Sequence, residues 1–128
     1  MPVLETFAVP ASANLLELPD NPDASIFIAF VSGKDLNTKL PWCPDVRAAL
    51  PHLTTAFTAE DAPTLVIVEV GKIPEWRDPK NAYRTNWAVN NIPTLARYQR
   101  VNGVVSETGR LVEGQILDKD GLRKFIWP

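Results

Sequence analysis

Apolar residues fall into two kinds of pattern along the first half of this chain, and the two alternate. Ser25-Ile26-Phe27-Ile28-Ala29-Phe30-Val31 is an unbroken run rich in β-branched and aromatic residues, closed by Ser32-Gly33. Such a run predicts a strand buried on both faces. Thr64-Leu65-Val66-Ile67-Val68-Glu69-Val70, before Gly71, predicts a second. Between them, from Pro44 to Phe57, the residues Val46, Leu50, Leu53 and Phe57 recur at a 4-3-4 spacing that places them on one helical face. Strand, helix and strand in this order predict a parallel, right-handed crossover. Pro51 inside the helix removes one backbone hydrogen bond and clashes with the carbonyl four residues back, so a kink is expected there.

After Gly71 the pattern dissolves into a polar, proline-punctuated loop through Lys80, followed by a short helix near Asn81 to Trp87. Thr94 to Tyr98 alternates as a strand, Asn102-Gly103 predicts a hairpin turn, and Val104 to Glu107 is its partner. From Asp118 through Trp127, Leu122, Phe125 and Ile126 sit at helical spacing behind an acidic start, which predicts a closing helix. No repeat, linker or low-complexity run divides the chain, so residues 1–128 are expected to form a single domain. The expected class is α/β: a central mixed sheet, built from a parallel β-α-β unit and a C-terminal β-hairpin, flanked by helices.

Composition narrows the function. With 13 basic against 15 acidic residues and a net charge of -2, the chain offers no long-range positive field, and nucleic acid is not an expected partner. The start, MPVLETFAVP, lacks a basic leader region, and no run approaches the roughly 18 apolar residues of a membrane span, so neither export nor membrane insertion is expected. One cysteine excludes an intrachain disulfide and fits a reducing, cytoplasmic location. With His52 as the only histidine, an ordinary His/Cys zinc site cannot form within the chain, and no metal is expected. His52 falls outside the apolar stripe of its helix and is assigned no role.

The single cysteine is the best candidate for chemistry. Cys43 stands in Trp42-Cys43-Pro44-Asp45-Val46, immediately before the predicted helix. A thiol there faces unpaired backbone N–H groups and the positive end of the helix dipole, both of which favour thiolate over thiol. The plainer role is packing, since free cysteine is often buried and inert. Trp42 offers a flat apolar contact beside the sulfur, or serves the core. Pro44 suits the first helical position, where a missing N–H costs nothing. Asp45 is a candidate proton acceptor for the thiol, or a solvated first-turn acid.

Taken together, the element order is that of a thioredoxin-like fold. WCPD at the start of a helix, a proline within that helix, the loop Gly71, Pro74, Trp76, Asp78, Pro79, Asn81, and the segment Ile92-Pro93-Thr94-Leu95 closely resemble the thioredoxin domain-containing protein 17 family of small cytosolic proteins. The resemblance covers about Ser25 to Tyr98. It implies that Cys43 is the nucleophile of a thiol-disulfide oxidoreductase, that Ile92-Pro93 is a cis-proline site facing it, and that the main chain there pairs with substrate as an added strand. Trp42, Pro44, Ile92, Pro93 and Thr94 are then the candidate substrate-binding residues. The 71–81 loop, with Trp76, either restricts which partners dock or stiffens and plugs the surface.

This sequence departs from the family at one place. The family motif continues as W-C-P-D-C, the second cysteine releasing the product, and here Val46 holds that lost resolving position. The resemblance therefore implies a monothiol redox protein acting on disulfides or modified thiols, without a bound cofactor, with glutathione as co-substrate and the thioredoxin reductase or glutathione system as recycling partner. The alternative is a thioredoxin-fold binding protein that has lost reductase turnover.

Overall fold

The computed structural model describes residues 3–5 and 7–128. Its sheet is assembled from the two apolar runs. The first forms β2 (Ser25–Val31) and the second β3 (Thr64–Glu69), paired in parallel with Phe27 opposite Leu65 and Phe30 opposite Val68. A short β1 (Val3–Leu4), which carries too few residues to show a period, adds in parallel to the far side of β3. β4 (Thr94–Val101) pairs antiparallel with β2, and β5 (Val104–Val112) pairs antiparallel with β4, giving the order β1-β3-β2-β4-β5.

The hairpin turn is where the sequence places it: Asn102 and Gly103 both take positive φ, 51° and 83°, as a two-residue turn matched to strand twist requires. Its strands run further than the alternation suggests. β5 continues past Glu107 to Val112, with a bulge in the pairing between Arg97 and Tyr98 that absorbs one register step.

Helices cover both faces of the sheet. α1 (Pro44–Ala56) and α4 (Lys119–Ile126) lie on the side of Phe27, whose ring meets Phe57 just beyond α1 at 5.2 Å and Phe125 on α4 at 5.5 Å, both edge-on. On the opposite face Phe30 meets Tyr83 and Trp87 of α3 (Ala82–Trp87), and Trp87 stands edge-on to buried Tyr98. Neighbouring β2 residues of opposite parity thus anchor opposite layers. Burial raises the Tyr98 phenol above its ordinary value.

The expected stripe of α1 holds: Val46, Leu53 and Phe57 are fully buried and Leu50 is half-buried. α1 is continuous through Pro51. Pro51 is exposed on its outer side, and Thr54 Oγ1 donates to the carbonyls of Leu50 and Pro51. The Gly71 to Lys80 segment, read as loop, is corrected: it contains a five-residue helix, α2 (Ile73–Arg77). Pro74 sits in its first turn, and the Glu75 carboxylate accepts the Lys72 N–H at 2.8 Å. Two 3-10 turns, Ala13–Leu15 and Glu113–Leu117, complete the elements.

Phe27 joins β2 to both helices of its face, so truncating it opens a cavity that neither helix fills alone. Phe27→Ala is expected to destabilise the fold by about 3–5 kcal/mol. Urea unfolding followed by tryptophan fluorescence checks this, and a loss under about 1 kcal/mol would mean that α1 and α4 do not depend on that ring.

Candidate active site

The site is built where β2 runs out. Ser32 and Gly33 stay buried past the strand end, and the Gly33 N–H donates to the Gly71 carbonyl at 2.9 Å. A Cβ on Gly33 would stand 2.9 Å from that oxygen, so only glycine allows the two loops to approach this closely. Gly71 itself has φ of 111°, a conformation that favours glycine. The chain then leaves as an exposed turn whose Asp35 accepts the N–H groups of Asn37 and Thr38. Those bonds, the one from Thr38 first, hold its carboxyl below the usual carboxylate range.

On its return the Trp42 N–H donates to the Gly33 carbonyl at 3.1 Å, and the Trp42 ring Nε1 donates to the Gly71 carbonyl at 3.0 Å. Its body packs on the core while it also lines a groove. Cys43 follows as the N-cap of α1 in extended conformation, half-buried, its Sγ making no capping bond. The Cys43 N–H donates to the Oγ of buried Ser32 at 3.2 Å. Ser32 reads in the sequence only as the end of a strand; its part in seating the cysteine has no local signal.

Across the groove, Ala88 caps α3 in the left-handed region and directs the chain through Asn90 and Asn91 to Ile92-Pro93, whose peptide bond is cis. Neither the N–H nor the C=O of Ile92 takes a partner among the described residues. The groove has a volume of about 380 Å3, and Trp42, Cys43, Asp45, Trp76, Asn91 and Ile92 contribute to its lining. Arg77 and Arg84 on one side and Glu113 on another give it mixed charge.

The remaining candidates sit elsewhere. Pro44 opens α1 on the exposed surface, outside the groove lining. Pro93 is buried, and its carbonyl accepts the Glu113 N–H at 2.8 Å. Thr94, also a candidate, is fully buried and outside the groove lining, and its Oγ1 donates to the Asn91 carbonyl at 2.6 Å, which fixes the bend. Val46, three residues after Cys43, is fully buried in the core.

The second loop is tied back onto itself and onto α3 by side-chain bonds. Asn81 Nδ2 donates to the carbonyls of Val70 and Glu75, at 3.1 and 3.0 Å, while its Oδ1 accepts the Tyr83 N–H and so caps α3. Trp76 is buried, with the Arg84 guanidinium 3.6 Å above its ring and Arg84 Nε donating to the Trp76 carbonyl at 2.7 Å. The loop thus plugs its own underside and also supplies a groove wall.

Residues 8–127 match the thioredoxin domain of the family described as thioredoxin domain-containing protein 17-like. The chain belongs to this family. A thioredoxin domain-containing protein of Schizosaccharomyces pombe is 38% identical over 102 residues, covering 80% of this chain and 82% of the relative. Human thioredoxin domain-containing protein 17 is 35% identical over 81 residues, 58% of this chain and 60% of the human protein. Among solved structures, a thioredoxin of Trichomonas vaginalis superposes with a TM-score of 0.59 at 18% identity, covering 98% of this chain and 95% of that one. It shares the fold. This member of the thioredoxin domain-containing protein 17-like family is a thioredoxin-related protein with a mixed five-stranded sheet, and no helix among its described residues is long and apolar enough to cross a membrane.

Asn81 is the clasp of the second loop, so Asn81→Ala should cost about 2 kcal/mol, from a lost helix cap and two carbonyls left without their donor. Asn81→Asp, which keeps the acceptor for Tyr83, should lose less. Chemical denaturation of both variants checks the order, and equal losses would show that the two Nδ2 bonds alone matter and the cap contributes nothing.

Proposed function

We propose that this protein is a cytoplasmic monothiol redox protein in which Cys43 attacks disulfides or modified thiols and an external thiol resolves the product. The observation that carries this reading is a half-buried thiol at a helix N-terminus sharing one groove with Ile92, whose main-chain groups are unpartnered, while position 46 holds a core valine. Substrate chain laid along Ile92 would pair with its N–H and C=O as a short added strand. The Trp42 edge supplies an apolar contact for the segment around the substrate sulfur. Asp45, exposed on the first turn and lining the same groove, is the acceptor this reading assigns to the thiol proton.

For a glutathione mixed disulfide P–S–S–G the steps balance as follows. The Cys43 thiolate attacks the glutathione sulfur, forming Cys43–S–S–G and releasing P–S⁻, which takes up a proton. Because no second cysteine exists in the chain, glutathione thiolate from solution then attacks the mixed disulfide, restores Cys43 and leaves as oxidised glutathione. One glutathione is consumed for each protein thiol released. The same valine supports the other reading, a binding protein that holds a disulfide or thiol partner in the groove without turnover.

Kinetics separate the two. Glutathione-coupled release of protein thiol should be readily measured and should vanish in Cys43→Ser, while NADPH-driven reduction of insulin with thioredoxin reductase stays near background. Persistence of the first activity in Cys43→Ser would remove the cysteine from the mechanism, and absence of the first activity in the unaltered protein would favour the binding reading.

Positions 43 and 46 are three apart at the head of α1, so their Cβ atoms lie roughly 5–6 Å apart, within reach of a disulfide after small adjustment. Val46→Cys should therefore form an intrachain disulfide on oxidation, detected by loss of both thiols in the monomer, and should raise insulin reduction well above background. A disulfide that forms without any gain in reduction would show that the groove no longer receives protein disulfides.

A further inference from the structure

The C-terminal half of α1 and one face of α4 leave an open groove of about 490 Å3 between them. Pro51, Thr55 and Ala56 form one wall, and Leu122, Ile126 and Trp127 the other. Leu122 and Ile126 are buried at its base, whereas Trp127 remains 44% exposed at one end. This is not the site around Cys43, which shares no lining residue with it. Pro51 is eight positions beyond Cys43 on the same helix, which at about 1.5 Å per residue is roughly 12 Å along the axis.

The rim of the groove carries one sign of charge. Lys119 and Arg123 on α4 are the charged side chains that line it, with His52 of α1 beside the apolar wall, and among the described residues no Asp or Glu does. Asp118 and Asp120 flank Lys119 in sequence but lie outside the lining. Neither cation takes part in an ion pair among the described residues. Arg123, in the last turn of α4, is explained by the helix dipole, but Lys119 is the first residue of that helix, where a cation opposes the dipole. Nor is the positive rim a background of a basic protein, since the chain carries a net charge of -2.

We infer that this groove docks an acidic amphipathic helix of a partner protein, its apolar stripe seated on Leu122, Ile126 and Trp127 and its carboxylates facing Lys119 and Arg123. Two packed helices with an apolar trough between them are the usual receiver for a third, read at i, i+3, i+4 and i+7. Lys119 and Arg123 are one turn apart, which matches carboxylates one turn apart on the incoming helix. Two cations one turn apart on the rim fit a chain of acids better than a fatty acid, which has a single carboxylate at one end. Trp127, large and half out of the fold, is the kind of side chain that anchors an interface.

The test is a titration of the isotope-labelled protein, read by amide chemical shifts, with two synthetic helical peptides that share one leucine stripe and differ in carrying Glu or Lys elsewhere. The Glu peptide is expected to shift amides in 51–56 and 119–127 and to bind at least about tenfold tighter than the Lys peptide at low salt, an advantage that shrinks as salt screens the rim. Lys119→Glu combined with Arg123→Glu should reverse the preference while leaving the alkylation rate of Cys43 unchanged. Equal binding of the two peptides, no binding of the Glu peptide, or shifts that map elsewhere overturns the inference. So does dodecanoate producing the groove shifts when the Glu peptide does not, which would make this a small-molecule site. Concentration-dependent shifts of the same amides without any peptide would assign the face to a second copy of the chain and would overturn it too.

Discussion

One carbonyl holds the candidate active site together. The Gly71 oxygen accepts the Gly33 N–H from the end of the first buried strand and the Trp42 ring N–H from the residue before the cysteine. Each bond is ordinary in strength, near 1 kcal/mol net, but the two share an acceptor and so fix three segments against one another. The approach is close enough that a methyl group on Gly33 would meet the Gly71 oxygen at 2.9 Å. The site is thus positioned by backbone contacts at two glycines, with the cysteine placed last, by the N–H it gives to Ser32.

From that junction the rest of the arrangement follows. The Gly71 loop continues into a short helix whose Trp76 forms a groove wall, and Asn81 returns the chain to the strand end it left by bonding the Val70 carbonyl. The opposite wall is set by a separate device, the bend at Asn91 that Thr94 closes from below and that presents Ile92 beside the cis bond. The two walls come from distant parts of the chain and meet because β2 and β4 are neighbours in the sheet. Sheet order, more than any local motif, brings the cysteine and the proline segment into one groove.

How much of this was legible in the sequence depends on whether a segment answers to its own neighbours or to distant ones. β2 and β3 are long, apolar and β-branched, so their class and nearly their ends could be read, as could the Asn102-Gly103 turn, which demands positive φ. α2 was missed because two prolines and several charges mask its few residues, although Pro74 in the first turn with Glu75 beside it is a helix-start signature. β1 and the far half of β5 depend on pairing, and neither carries a strong period of its own. At the site, Trp42, Cys43, Asp45 and Ile92 meet in the groove as the motif suggests, whereas Thr94 faces inward because its parity in β4 points it at the core. Ser32 and Arg84 act through partners 11 and 8 residues away, which no short motif encodes.

The N-terminal stretch has a consequence of a different kind. β1 lies along the outer side of β3, one border of the sheet, while the 3-10 turn at Ala13–Leu15 rests against β5 at the other, and the Leu18 carbonyl is held by Arg100. A single short stretch of chain therefore shields both borders of a sheet whose central strands are among its most apolar segments. Unpaired strand borders recruit other chains. Trimming this stretch would leave more of the β3 border unpaired, so a shortened protein is expected to be stickier rather than merely smaller.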